Sequence, residues 1–142
     1  RKNVESAKGG PFGAVVVKNG EVIASAMNEV IATVDPTAHA EVVAIREACH
    51  VLGSYQLDGC DIYTSCEPCP MCLGAIYWAR PDTVYYAATR KDAAASGFED
   101  EYIYREIELQ PPQRHIPFIN KLRKEALLAF KEWDDSGLEI KY

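Results

Sequence analysis

The chain has 142 residues, 48% of them hydrophobic and 25% charged. That is the make-up of one globular domain, and it excludes a disordered, collagen-like or mucin-like chain. With 15 Lys and Arg against 21 Asp and Glu the net charge is −6 and the pI is near 5.1, so the molecule as a whole repels phosphate backbones and nucleic-acid binding is disfavoured.

The chain opens on Arg1 rather than Met and shows no signal peptide, so its natural start is expected upstream. Val4–Lys8 reads as the end of a helix. Phe12–Lys18 is predicted as a buried strand, Asn19-Gly20 as a hairpin turn favouring positive φ, and Glu21–Ala26 as the returning strand. Asp35-Pro36 signals a helix start, with Asp as N-cap and Pro at the first helical position. That helix runs to about Leu52, where Gly53 stops it, and Val42, Ile45, Cys49 and Leu52 form its apolar stripe. Cys60–Ser65 alternates like a strand. Pro68 opens a second helix through about Ala79, ended by Pro81. Thr83–Ala88 is a further core strand, and short helical segments follow near Asp92 and Glu101. Gln110-Pro111-Pro112 is a loop. Leu122–Trp133 is an amphipathic helix with Leu127, Phe130 and Trp133 directed inward. No apolar run approaches the ~18 residues of a bilayer span. The order predicts one α/β domain over residues 1–142, a three-layer α/β/α arrangement around a central mixed sheet. Its first two strands are antiparallel and its later, helix-separated strands parallel.

Of five cysteines, Cys66, Cys69 and Cys72 crowd together, and the odd total leaves at least one unpaired within the chain. The pattern reads as metal chemistry in a reducing, cytoplasmic compartment. Cys69 and Cys72 sit i, i+3 at a helix start, on one face, where the helix N-terminus favours thiolates. His39 at the start of the other helix supplies an imidazole. Three protein ligands on tetrahedral zinc leave a fourth position for water, the mark of a catalytic site. Glu41 completes the set as a carboxylate beside that water, able to take its proton and hand it on. Residues i and i+2 of a regular helix point about 200° apart, so His39 and Glu41 share a site only at the helix end. A structural zinc site or a redox Cys pair is the alternative. His50 lies about 16 Å along the helix from His39, too far to co-ligate, and His115 falls in a distant loop-like stretch. Cys66 precedes Pro68 and reads as a packed free thiol, and Cys49 and Cys60 as core residues.

Pro36-Thr37-Ala38-His39-Ala40-Glu41 and Thr64-Ser65-Cys66-Glu67-Pro68-Cys69-Pro70-Met71-Cys72 resemble the signature of the cytidine deaminase superfamily of zinc-dependent base deaminases. Through Gly9–Ala14, Gly74–Arg80 and Ala95–Asp100 to Tyr142, the chain resembles the bacterial guanine deaminases over nearly its whole length. The resemblance implies one Zn2+ per chain and hydrolytic deamination of guanine at C2, giving xanthine and ammonia. Glu41 would protonate ring N3 and then the departing amine. A second acid near C2 matches Asp100, with Glu99 as the alternative bearer. Base contacts fall on Phe12, Asn28, Trp78 and the Ala40 backbone N–H. The resemblance also implies a homodimer that exchanges its C-terminal segments, about 116–142, placing Tyr142 over the purine bound by the other subunit. A tRNA adenosine deaminase, a guanosine deaminase and a non-enzymatic zinc-binding interaction module are the competing readings.

Overall fold

Asn19 and Gly20 both take positive φ, 52° and 81°, and turn strand β1 (Gly13–Lys18) back onto β2 (Glu21–Met27). This is the primed turn that matches strand twist and that Asn-Gly accommodates. The computed structural model of the chain describes Val4, Glu5, Ala7 and residues 9–139. It comprises two units, Arg1–Asp100 and Glu101–Tyr142.

In the first unit β3 (Cys60–Cys66) pairs antiparallel with β1, and β4 (Thr83–Ala88) pairs parallel with β3, giving the sheet order β2-β1-β3-β4. The mixed sheet and its strand directions are those expected from the sequence. Helix α1 (Val30–Thr33) is one turn long. Helix α2 (Ala40–Leu52) packs on β1, β2 and helix α3 (Pro70–Ala79), and α4 (Arg90–Ala95) follows β4. Strand alternation builds the core. Cys60, Ile62, Thr64 and Cys66 of β3 point inward with Ala14 and Val16 of β1, against Ala40, Ala44, Ile45 and Ala48 of α2. The alanines let the helix lie close to the sheet. Fully buried Val16 and Ile62 each contribute about 1.5–3 kcal/mol of transfer free energy. Cys60 is buried and Cys49 packs partly buried against this core, as the sequence indicates.

Two helix starts differ from expectation. Asp35 does not cap α2. Its Oδ1 accepts from Thr37 N and Thr37 Oγ1, at 2.8 and 2.7 Å, an Asx-type turn that uses up its capping capacity. The helix begins five residues on, with His39 as N-cap. Pro68 does not open α3 either; Cys69 is the N-cap and Pro70 the first helical residue. Gly53 ends α2 with φ 61°, as predicted.

In the second unit α5 (Glu101–Glu108) and a 3-10 turn (Pro111–Gln113) precede α6 (Arg123–Asp135). Phe118 N donates to Pro111 O, and the Arg114 guanidinium lies 5.0 Å above the Phe118 ring. None of the described residues from Glu101 onward is buried. Leu127, Phe130 and Trp133, expected to point inward, are 43%, 68% and 43% exposed. The apolar stripe of α6 exists, but among the described residues of this unit none forms a second layer over it.

Candidate active site

The N-termini of α2 and α3 meet beyond the C-terminal end of β3. His39 and Cys69, as N-caps, have extended backbones (φ −69°, ψ 152°; φ −66°, ψ 168°). Their side chains therefore leave the helix ends instead of the helix flanks. This resolves the angular conflict between His39 and Glu41, because His39 is outside the helix and Glu41 is in its first turn. His39 Nδ1 lies 3.6 Å from Cys69 Sγ and 3.5 Å from Cys72 Sγ, and the two sulfurs are 3.5 Å apart. A tetrahedral zinc with ordinary Zn–S and Zn–N bonds sets its ligand atoms about 3.6–3.8 Å apart, so the three donors fit the ion in identity and spacing. Among the described residues these three are the group able to hold a metal.

The sulfurs polarise each other. The Cys72 contact, helped by His39, holds the Cys69 thiol at about 4 despite its burial. The same contact, burial and the Glu41 charge push Cys72 far up. His39 is raised, chiefly by its contact with Cys69. Ligation needs both sulfurs as thiolates and the imidazole neutral, so metal binding releases protons. Cys66 stands apart from the cluster as expected, buried at the end of β3, its Sγ directed at Thr89 O at 3.6 Å.

Glu41, 5% exposed, is held from two sides. Thr64 Oγ1 donates to Oε1 at 2.7 Å, and Cys72 Sγ lies 3.3 Å from Oε2. A buried carboxylate needs such partners. Thr64 is a site residue that the sequence reading did not single out. Its signal was a hydroxyl at an inward position of an alternating strand, which becomes informative only once the register of β3 against α2 is known.

A cavity of about 390 Å³ opens over the cluster. His39, Glu41, Cys69, Cys72, Phe12, Asn28, Glu99 and Asp100 all line it. Phe98, also not singled out as a site residue, lines it too and meets Phe12 edge to face at 4.9 Å. Asn28 is buried at the end of the hairpin, where its N–H donates to Phe12 O. Its Oδ1 accepts from Gly10 N and Val30 N at 3.2 and 3.3 Å, so its accepting end is engaged inside the chain. Ala40 is fully buried at the first position of α2, where a helix amide has no intrahelical acceptor. Trp78 is not brought to this cavity; it is 64% exposed on α3, as the inward stripe of that helix is Cys72, Ile76 and Ala79. Tyr142 lies outside the described residues.

A family model described as the cytidine and deoxycytidylate deaminase zinc-binding region matches residues 1–88. The guanine deaminase of Bacillus subtilis (strain 168) is 58% identical over 141 residues, 99% of this chain and 90% of that protein. The crystal structure of guanine deaminase from Bacillus subtilis superposes with a TM-score of 0.94 at 55% identity, covering 99% of this chain and 89% of the other. The tRNA-specific adenosine deaminase of Aquifex aeolicus (strain VF5) is 47% identical over 81 residues, 57% of this chain and 54% of that protein.

Proposed function

The chain belongs to the cytidine and deoxycytidylate deaminase zinc-binding family, and on that premise we propose that it hydrolyses guanine to xanthine and ammonia. The observation that carries the reading is Glu41: a buried carboxylate in the wall of the cavity, 3.3 Å from a sulfur of the His39, Cys69, Cys72 cluster. A structural zinc site has no use for such a group. His39, Cys69 and Cys72 would hold the ion. When bound, zinc supplies a water of lowered pKa, about 7.

Glu41 takes a proton from the attacking water and passes it to ring N3. As the C–N bond breaks, Glu41 takes the proton of the new C2 hydroxyl and delivers it to the departing amine, leaving the C2 carbonyl, so water and guanine become xanthine and ammonia. Asp100, at the cavity wall, is the second acid near C2. Phe12 offers a ring face to the base, Asn28 an amide at the same wall, and the Ala40 N–H a donor at the helix end. The tRNA deaminase reading is weaker, since two tRNA-specific adenosine deaminases match 57% and 61% of the chain against 99% for the guanine deaminase and the net charge is −6.

Two further features belong to the same reading. The enzyme is a homodimer in which the segment about 116–142 is exchanged, so that Tyr142 of one copy covers the base held by the other. The unburied apolar side chains of α6 support this. The cysteine pattern supports a cytoplasmic location, and no described helix is long and apolar enough to cross a membrane.

The test is ammonia release from guanine, guanosine, adenine, cytosine and cytidine, with the product identified. Guanine should be the substrate and xanthine the product. Release from guanosine or adenine in preference to guanine would replace the substrate assignment.

A further inference from the structure

We infer that Thr64 is a positioning residue that divides the labour between the two oxygens of Glu41, fixing Oε1 so that Oε2 carries the proton. The inference rests on the deaminase reading of the site. Thr64 is 5% exposed and comes from β3, whereas Glu41 comes from α2, so this contact joins two elements of the core. At 2.7 Å its hydroxyl is well placed to donate to Oε1, a short bond of the charge-assisted kind. The Cys66 carbonyl, 3.0 Å away, competes for its single hydrogen, and the shorter contact to a carboxylate oxygen directs that hydrogen to Oε1.

The two carboxylate oxygens have different neighbours. Oε1 is on the β3 side, at the Thr64 hydroxyl, and Oε2 is on the side of the cluster, 3.3 Å from Cys72 Sγ. Oε1 is then engaged by Thr64, and Oε2, next to the cluster, is the oxygen that receives the water's proton and returns it. Without Thr64 the carboxylate can rotate about its last bond, and the fraction of time Oε2 spends aimed at the reacting atoms falls.

The experiment compares zinc-loaded wild type with Thr64→Val, which keeps the shape and removes the donor, and Thr64→Ser, which keeps the donor. Loss of the hydrogen bond that orients the proton carrier, without a contact to the substrate, predicts a fall in kcat of about 10- to 100-fold for Thr64→Val, with KM within about twofold. Thr64→Ser should regain most of that kcat, and zinc content should be equal in all three. A Val variant as fast as wild type, or a Ser variant as slow as Val, overturns the inference. Thr64→Ala replaces Thr64→Val if the latter does not fold, with the same outcomes.

Crystal structures of the zinc-loaded variants give a readout independent of turnover. The Glu41 carboxylate should be rotated or split without the hydroxyl and single with it; an unchanged carboxylate in Thr64→Val overturns the inference. Wild type inactive on guanine would overturn the substrate reading alone, because the carboxylate geometry still decides the role of Thr64.

Discussion

Cys66 and Cys69 are three residues apart and have different fates because a strand ends at the first and the second caps a helix. Cys66 closes β3 and directs its thiol to Thr89 O; burial raises its pKa. Cys69 caps α3, faces His39 and Cys72, and is held as a thiolate at about 4. Metal analysis of Cys66→Ser should therefore show full zinc, and of Cys69→Ser a large loss. Loss of metal in Cys66→Ser would mean the ligand set is wrong. Glu41→Gln keeps the size of the side chain and the Thr64 contact but cannot carry a proton. Turnover should fall by about 10²–10⁴-fold or more, with zinc retained, since one group serves several transfers. Near-normal turnover would remove Glu41 from the chemistry. Glu99 and Asp100 both line the cavity, and steady-state kinetics separate them. Asp100→Asn should be severely impaired and Glu99→Gln mild, and the reverse order would move the second acid to Glu99.

Two glycines flank the working elements and should respond differently to the same methyl group. A Cβ on Gly9 would collide with Asn28 O and Oδ1, pushing the cavity wall. Gly9→Ala should reduce kcat/KM by about 10- to 100-fold with little effect on zinc. A Cβ on Gly53 meets nothing within 4 Å, but the residue sits at φ 61°. Gly53→Ala should cost about 1 kcal/mol of stability in chemical denaturation and leave kcat/KM unchanged. Gly53 also shows what a sequence states openly: a left-handed helix end, like the Asn19-Gly20 turn, depends on one or two residues. The start of α2 was harder to read. Asp35-Pro36 is a strong local signal, but the Asp oxygen is captured by Thr37, and no capping preference points to histidine at the true N-cap. The metal triad was legible because ligand chemistry and spacing are local properties. Thr64 was not, because its meaning depends on which residue of a distant helix its strand position faces.

At the scale of the molecule the unsolved quantity is the apolar surface of the last third. Ile116, Phe118, Ile119, Leu122, Leu128 and Phe130 are each more than half exposed. At roughly 25 cal/mol per Å² of apolar surface, leaving so many large side chains in water forfeits much of the stabilisation available to a small unit. Exposed patches of this kind mark interfaces. An amphipathic stripe in a sequence looks the same whether its cover is its own chain or another, so only the family resemblance, not the stripe, points to an interface here. The proposed exchange would supply the cover by two-fold symmetry, with each copy giving what it receives, and would bring a tail to a cavity that must exclude water. Deleting 137–142 should then sharply weaken guanine turnover while zinc stays bound, but that result alone suits a tail acting on its own chain as well. Mixing the deleted chain with a full-length Glu41→Gln chain separates the two. If tails are exchanged, the heterodimer has one site in which an intact Glu41 is covered by the partner's intact tail, and activity should return toward half that of the wild-type dimer. If each tail serves its own chain, every site in the mixture lacks either its carboxylate or its cover. A verified heterodimer without recovered turnover would rule out exchange and assign each tail to the chain that carries it.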